Sequence, residues 1–195
     1  MIYLIEAARR VAWRLSLIAV IGLCGLWLRM DGAEVIKELN LRAIGRGPTS
    51  IPVNRSPATV VVFISVDCPM SMDYGERVGR LEKEYSSRGV QVILVDSNRN
   101  ESDRDVENVR NALEITTPIY RDTGAILAER LTAMVTPTAV VLDATGAIRY
   151  KGNLDDSRDP TKVKTRFVQE ALDAVLSGRP VLIPHTRVLG CSIKR

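Results

Sequence analysis

The chain has 195 residues, 46% of them hydrophobic and 26% charged, which gives room for one domain with appendages and an ample core. Its formal charge of +4 is modest, and the basic excess gathers at Arg9, Arg10, Arg14 and Arg29 and at the terminal Lys194 and Arg195. No Arg/Lys stripe is interleaved with aromatics, so nothing points to nucleic-acid binding.

Taken in chain order, the first feature is the uncharged segment 15–28, extended to span length by residues 11–14 with Arg14 snorkelling to the interface. Small residues that an export cleavage would need are missing around Arg29-Met30-Asp31, and Leu23 before Cys24 is too large for a lipoprotein site. The expectation for residues 1–29 is therefore an uncleaved transmembrane helix. Three arginines before it and one after it set the N-terminus in the cytoplasm. The rest of the chain then faces the periplasm or another extracytoplasmic space, anchored as a single-pass protein of the inner (cytoplasmic) membrane. Residues 30–56 read as a connector. Residues 34–41 have a short helical pattern, and Gly45, Gly47, Pro48 and Pro52 break up the stretch after it.

From residue 57 to 179 the pattern alternates. Residues 59–66 are a continuous β-branched run, typical of a buried central strand. Residues 71–87 are helical, with Tyr74, Val78, Leu81 and Tyr85 on one face, and Gly89 is the stop. A second buried strand covers 90–95. Helices are expected over 103–113 and 123–131, strands over 138–142 and 148–151, and a tight turn at Asp143-Ala144-Thr145-Gly146. An amphipathic helix spans 160–176, with Val163, Phe167, Ala171, Leu172 and Val175 inward. Residues 180–195 read as an extended tail. A parallel crossover followed by a hairpin implies a mixed central sheet with helices on both faces, an α/β class.

Three cysteines are present: Cys24 in the apolar segment, and Cys68 and Cys191 in the folded part. Cys68 stands where the β-branched run ends and a helix begins, so helix amides favour its thiolate, the reactive form. Pro69 suits the first helical turn because it needs no amide donor. Ser71 occupies the place of a local second cysteine, so resolution of a mixed disulfide needs a distant or external thiol. Cys191 is the distant candidate, and an exported pair of this kind reads as a disulfide. A Cys68–Cys191 bridge would close a loop of over 100 residues, worth about 4–5 kcal/mol by chain entropy if unstrained. Pro137 after Thr136 is either an ordinary strand-opening proline or a cis bond that exposes the Thr136 backbone to a substrate chain. Ser65, one turn before Cys68, has a hydroxyl able to reach the sulfur or a bound peroxide. His185 with Cys68 and Cys191 makes only a thin copper set, so no metal or cofactor is expected.

These residues resemble the thioredoxin-like redoxins, the group that holds alkyl hydroperoxide reductase/thiol-specific antioxidant relatives and membrane-tethered thiol-disulfide oxidoreductases. The resemblance covers about residues 57–195. It rests on Val60-Val61-Val62-Phe63 leading to Cys68-Pro69, on Val135-Thr136-Pro137-Thr138, on Asp143-Ala144-Thr145-Gly146, and on the tail Gly190-Cys191-Ser192-Ile193-Lys194. It implies a thioredoxin-like fold with Cys68 as nucleophile and Pro137 as a cis-proline. Two departures stand out. Ser71 replaces the second cysteine of a Cys-x-x-Cys site, and Val61 stands where peroxiredoxins carry the proline of Pro-x-x-x-Thr/Ser-x-x-Cys. Arg121 and Arg149 are the candidates for a peroxiredoxin-type site arginine. The expected function is an anchored thiol-disulfide oxidoreductase: Cys68 attacks a protein or small-molecule disulfide, Cys191 resolves the mixed disulfide, and an external thiol reductant reopens the bridge. Thr136, Pro137, Pro69 and Ser65 would hold substrate. The alternatives are a thiol peroxidase using the same cysteines and a non-enzymatic binding or copper-handling module.

Overall fold

The computed structural model describes residues 35–112 and 115–195. The expected membrane helix falls in 1–34, outside the described residues. Among the described residues no helix is long and apolar enough to cross a membrane.

The strands are β1 (Glu38–Ala43), β2 (Gly47–Pro52), β3 (Ala58–Ile64), β4 (Gln91–Asp96), β5 (Ile119–Arg121), β6 (Val135–Thr136), β7 (Thr138–Asp143), β8 (Ile148–Gly152) and β9 (Cys191–Ser192). The helices are α1 (Pro69–Asp73), α2 (Gly75–Ser86), α3 (Asp103–Ala112), α4 (Ile126–Arg130) and α5 (Phe167–Leu176). Seven strands form one mixed sheet in the order β2-β1-β5-β4-β3-β7-β8, and β6 and β9 form a separate pair. The β-branched run becomes β3, every residue of which is buried. β3 pairs parallel with β4 and antiparallel with β7, which makes it an inner strand.

Side chains alternate along a strand, so β3 feeds two cores. Ala58, Val60, Val62 and Ile64 meet Val78, Leu81 and Tyr85 of α2, Val106 of α3 and Val168 and Leu172 of α5. Val61 and Phe63 face the other way, onto Leu127 and Ala128 of α4, Leu39 of β1 and Ile193 of the tail. Helices on both faces of a mixed sheet are what the alternation of patterns predicts.

Four expectations are corrected. Residues 38–43 form a strand and not a helix: Leu39 and Leu41 alternate with exposed or half-exposed neighbours, a period of two. The hairpin β1–β2 joins the sheet through β5, with Arg42 opposite Arg121 and Ala43 opposite Tyr120, so this stretch is part of the sheet and not a connector. The helix expected over 71–87 is broken at Tyr74, the C-terminal cap of one helix and the N-terminal cap of the next. The helix expected from 160 begins only at Phe167. Residues Pro160–Lys162 form a 3-10 turn capped by the Asp159 side chain, and Val163 lies in the loop after it rather than on an inward face. The short β5 went unread because three residues carry too little pattern to register.

The tail is extended, as expected, and it is docked along the body. Lys151 N–H donates to the Pro184 carbonyl at 3.0 Å and Thr186 N–H to the Lys151 carbonyl at 3.1 Å. Ile193 is buried in the second core.

Candidate active site: Cys68 and the docked tail

Cys68 is the N-terminal cap of α1, with Pro69 in the first turn. Its extended backbone (φ −97°, ψ 110°) ends the strand-to-helix loop. Met72 N–H donates to the Cys68 carbonyl at 3.1 Å and Cys68 N–H to the Ser65 carbonyl at 3.3 Å, which fixes the loop on both sides of the sulfur. The side chain is only 1% exposed.

The peptide bond Thr136–Pro137 is cis. It follows β6 and leads into β7, the antiparallel neighbour of β3, and so brings Thr136 beside the thiol. Cys68 Sγ donates to the Thr136 carbonyl at 3.4 Å. On its other edge β6 pairs antiparallel with β9, with Val135 opposite Ser192 and Thr136 opposite Cys191. That register lays the Cys191 thiol against the Cys68 thiol. The two thiols are near enough to shift each other's pKa, and both are free.

Burial raises the Cys68 pKa, and the donors around it more than offset this. The Cys191 thiol, the Ser71 amide and hydroxyl, and the Thr136 hydroxyl bring it down from 9.0 to about 7. Cys191 moves the opposite way: its hydrogen bond to Cys68, then burial, then the Cys68 charge raise it, and Lys194 lowers it only in part. Of two thiols sharing a site, Cys68 ionises first and Cys191 keeps the shared proton. The pair is thus polarised, with Cys68 the more acidic thiol.

The motif Gly190-Cys191-Ser192-Ile193-Lys194 can be read residue by residue. A Cβ on Gly190 would lie 2.0 Å from the Thr136 carbonyl oxygen, so only glycine allows this approach of tail to strand. Cys191 presents the second thiol, half-buried, and Ser192 points out. Ile193 enters the core, and its N–H donates to the Met134 carbonyl at 3.0 Å. Lys194 is held by its backbone. Its N–H donates to Asn98 Oδ1 at 2.9 Å, and its carbonyl accepts from Arg99 N–H at 2.8 Å.

Below the loop lies a polar network. Ser65 Oγ donates to Glu101 Oε1 at 2.5 Å and Val66 N–H to Glu101 Oε2 at 2.8 Å. The expected reach of the Ser65 hydroxyl to the sulfur is therefore corrected: Glu101 holds it, and the Ser65 carbonyl meets the Cys68 amide. Asp96 at the end of β4 accepts from Arg121 at 2.5 Å and from the Asn98 amide at 2.7 Å. Arg121 also donates to the Asn98 and Glu101 carbonyls, so its guanidinium is engaged with this network. Arg149 pairs with Asp143 at the β7–β8 hairpin. The partners of both arginines thus lie away from the Cys68 sulfur. His185 is exposed, and its backbone bridges Lys151 on β8, whereas Cys191 pairs with β6.

The sequence reading missed Ser71 as a contributor, having noted it only as an absent cysteine. Its position three residues into a helix capped by Cys68 was the available signal. Glu101, Asn98 and Asp96 gave none, because their partners are distant in sequence.

A proton-sharing thiol pair on a thioredoxin-like sheet is the chemistry of oxidoreductases that act on thiols and disulfides. The particular family follows from comparison: residues 50–166 match the family model described as Redoxin, and the chain belongs to that family. Among solved structures it is similar to an uncharacterised conserved protein of Geobacillus kaustophilus. The two share 28% identity at a TM-score of 0.74, over 84% of this chain and 91% of that one. A hypothetical protein of Sinorhizobium meliloti shows 26% identity and a TM-score of 0.75, over 83% of this chain and 93% of that one. A thiol:disulfide interchange protein of the thioredoxin family from Chlorobium tepidum shows 18% identity and a TM-score of 0.55, over 75% and 95% of the two chains, a likeness of fold alone. No curated protein matches the chain in sequence.

Proposed function

We propose that this redoxin is a membrane-anchored thiol-disulfide oxidoreductase whose nucleophile is Cys68 and whose resolving thiol is Cys191. The supporting observation is the geometry of the two thiols: Cys68, 1% exposed, donates to the Thr136 carbonyl at 3.4 Å, and Cys191 lies opposite Thr136 in the β6–β9 pair, with the Cys68 pKa lowered to about 7 and that of Cys191 raised. Cys68 thiolate attacks a substrate sulfur, and one substrate thiolate leaves. Cys191 gives up its proton, attacks Cys68 Sγ, and releases the second substrate thiolate. A Cys68–Cys191 disulfide remains for an external thiol reductant to reopen. The thiol:disulfide interchange protein of Chlorobium tepidum shares the fold on which this chemistry is proposed. The anchor is residues 11–28, and the orientation follows from the arginines that flank them, so the domain works outside the cytoplasm.

The burial of Cys68 favours thiol peroxidase as a second reading, because peroxide is small enough to enter a closed site. Cys68 would become a sulfenic acid, and Cys191 would displace water from it to give the same bridge. The engagement of Ser65 with Glu101 and of Arg121 with Asp96 weighs against it.

Thiol trapping with peptide mapping on the full chain tests both. A reversible Cys68–Cys191 bridge formed fastest by a disulfide supports exchange. The same bridge formed fastest by dilute peroxide moves the assignment to peroxidase. With neither oxidant producing a bridge, both readings are wrong.

A further inference from the structure

The proposed chemistry places the substrate at Cys68, yet the neighbouring strand edge is already filled. β6 lies beside the thiol, and an open strand edge is a template for an extended peptide. Here β9 of the same chain takes that edge, in register with Val135 and Thr136. Gly190 lies flush on the Thr136 carbonyl, Ile193 is sunk in the core, and Asn98 and Arg99 clasp the Lys194 backbone. Asn98 is itself held at two atoms by Asp96 Oδ1, at 2.7 Å and 3.2 Å, so the clasp rests on a fixed support. The tail is therefore fastened before, at and after Cys191. Cys68 beneath it is 1% exposed, and Cys191 is partly open to solvent.

Resting on the thiol-disulfide reading above, we propose that the docked tail divides the partners by size. Cys68 accepts only small oxidants, low-molecular-weight disulfides or peroxides, whereas a polypeptide dithiol exchanges through the sulfur of Cys191. In the oxidised protein a thiolate of the polypeptide attacks Cys191 Sγ. The new sulfur–sulfur bond forms there, the Cys68–Cys191 bond breaks, and the electron pair leaves on Cys68 as thiolate. The second thiol of the polypeptide then attacks its own sulfur in the mixed disulfide. Cys191 leaves as thiolate and takes up a proton, and the polypeptide departs as a disulfide. Two electrons have passed from the dithiol to the protein. The route follows two rules of thiol exchange: attack falls on the accessible sulfur, and the more acidic thiol is the better leaving group.

The test uses full-length single-cysteine variants, Cys191→Ser to isolate Cys68 and Cys68→Ser to isolate Cys191, with peptide mapping to separate Cys24. Each meets two probes: iodoacetamide, and a peptide of about ten residues activated as a mixed disulfide with thionitrobenzoate. Rates are divided by those of a free model thiol. At Cys68 the peptide probe is expected to be at least about tenfold slower relative to iodoacetamide, and at Cys191 the ratio stays near that of the free thiol. Adding Gly190→Ala to Cys191→Ser, which forces the tail off Thr136, is expected to restore the peptide rate at Cys68. Equal peptide rates at Cys68 and Cys191 overturn the proposal, with or without a folded Gly190→Ala variant. Diamide treatment of the wild type keeps the two readings apart. If the bridge forms while Cys68 takes the peptide freely, only the size division fails. If no bridge forms, the exchange reading itself fails.

Discussion

Ser71 stands where a local dithiol site would have its second cysteine, and its role here is electrostatic. Its amide and hydroxyl stabilise the Cys68 thiolate, and its Oγ accepts from Ser65 N–H at 3.2 Å, which ties the helix start to the strand end. Alkylation of Cys68 by iodoacetamide should therefore inflect near pH 7, slow below it and fast above, because the thiolate reacts. Ser71→Ala removes one donor worth about 1 kcal/mol, which corresponds to an upward shift of roughly 0.7 of a pH unit. An unchanged inflection in that variant would deny Ser71 its part. Cys191→Ala should raise the inflection further, since Cys191 is the largest of the stabilising donors, and should leave Cys68 as a stable mixed disulfide after one turnover. Mass spectrometry of the quenched reaction reads both effects. The sequence showed Cys68 plainly, because a thiol, a proline and a change of period coincide. It did not show which group lowers the pKa, because Cys191 and Thr136 arrive from remote strands.

At the scale of elements, two close approaches join remote segments. Gly146 closes the β7–β8 hairpin at φ +85°, and a Cβ there would lie 2.1 Å from the Ile36 carbonyl oxygen. Ile36 N–H donates back to the Gly146 carbonyl at 2.8 Å. Gly146→Ala thus meets both a backbone conformation unfavourable to alanine and a clash with backbone that cannot rotate away. A loss of about 2 kcal/mol or more is expected in urea unfolding, against a few tenths for an exposed substitution such as Ser192→Ala. Helix α3 starts from a reciprocal cap, with Ser102 Oγ accepting from Asp105 N–H at 3.2 Å and Asp105 Oδ2 accepting from Ser102 N–H at 3.2 Å. Ser102→Ala should cost about 1 kcal/mol in the same assay. The start expected at Asp103 was legible to within one residue because caps are local chemistry. The pairing of Leu39 with Ile51, and of the whole hairpin with β5, was not, because Gly45 and Gly47 mimic the signals of a linker.

For the whole molecule, the network of Asp96, Glu101, Arg121 and Asn98 ties β4, β5, the active-site loop and the tail into one body. Asp96 has a fully buried side chain. Burial and the hydrogen bond to Glu101 push its carboxyl up from 3.8 to about 7, against the pull of the Asn98 amide and Arg121. Between those values the folded state binds a proton that the unfolded chain has lost. The contribution of this group to stability is therefore full below about pH 4 and declines as pH rises to about 7. Asp96→Asn should flatten that decline, so that the gap in urea midpoint between wild type and variant changes from about pH 5 to about pH 8. A constant gap would show that Asp96 does not titrate in this window. A second buried pair, Arg77 with Asp155 at 2.7 Å, fastens α2 to the loop after β8, and Arg77 also lies 4.0 Å from the Tyr74 ring centre.

The sequence by itself determined the class of the fold, the buried strand β3 and the thiol at its end, and it singled out Cys191 as the distant candidate. Each of these is written in local periodicity or in a residue type that is scarce in the chain. Only the tertiary structure decided that the Thr136–Pro137 bond is cis, that the Ser65 hydroxyl serves Glu101, and that the tail lies in the site rather than near it. Those facts depend on register between strands far apart in the chain, where a shift of one residue would turn Cys191 away from Cys68.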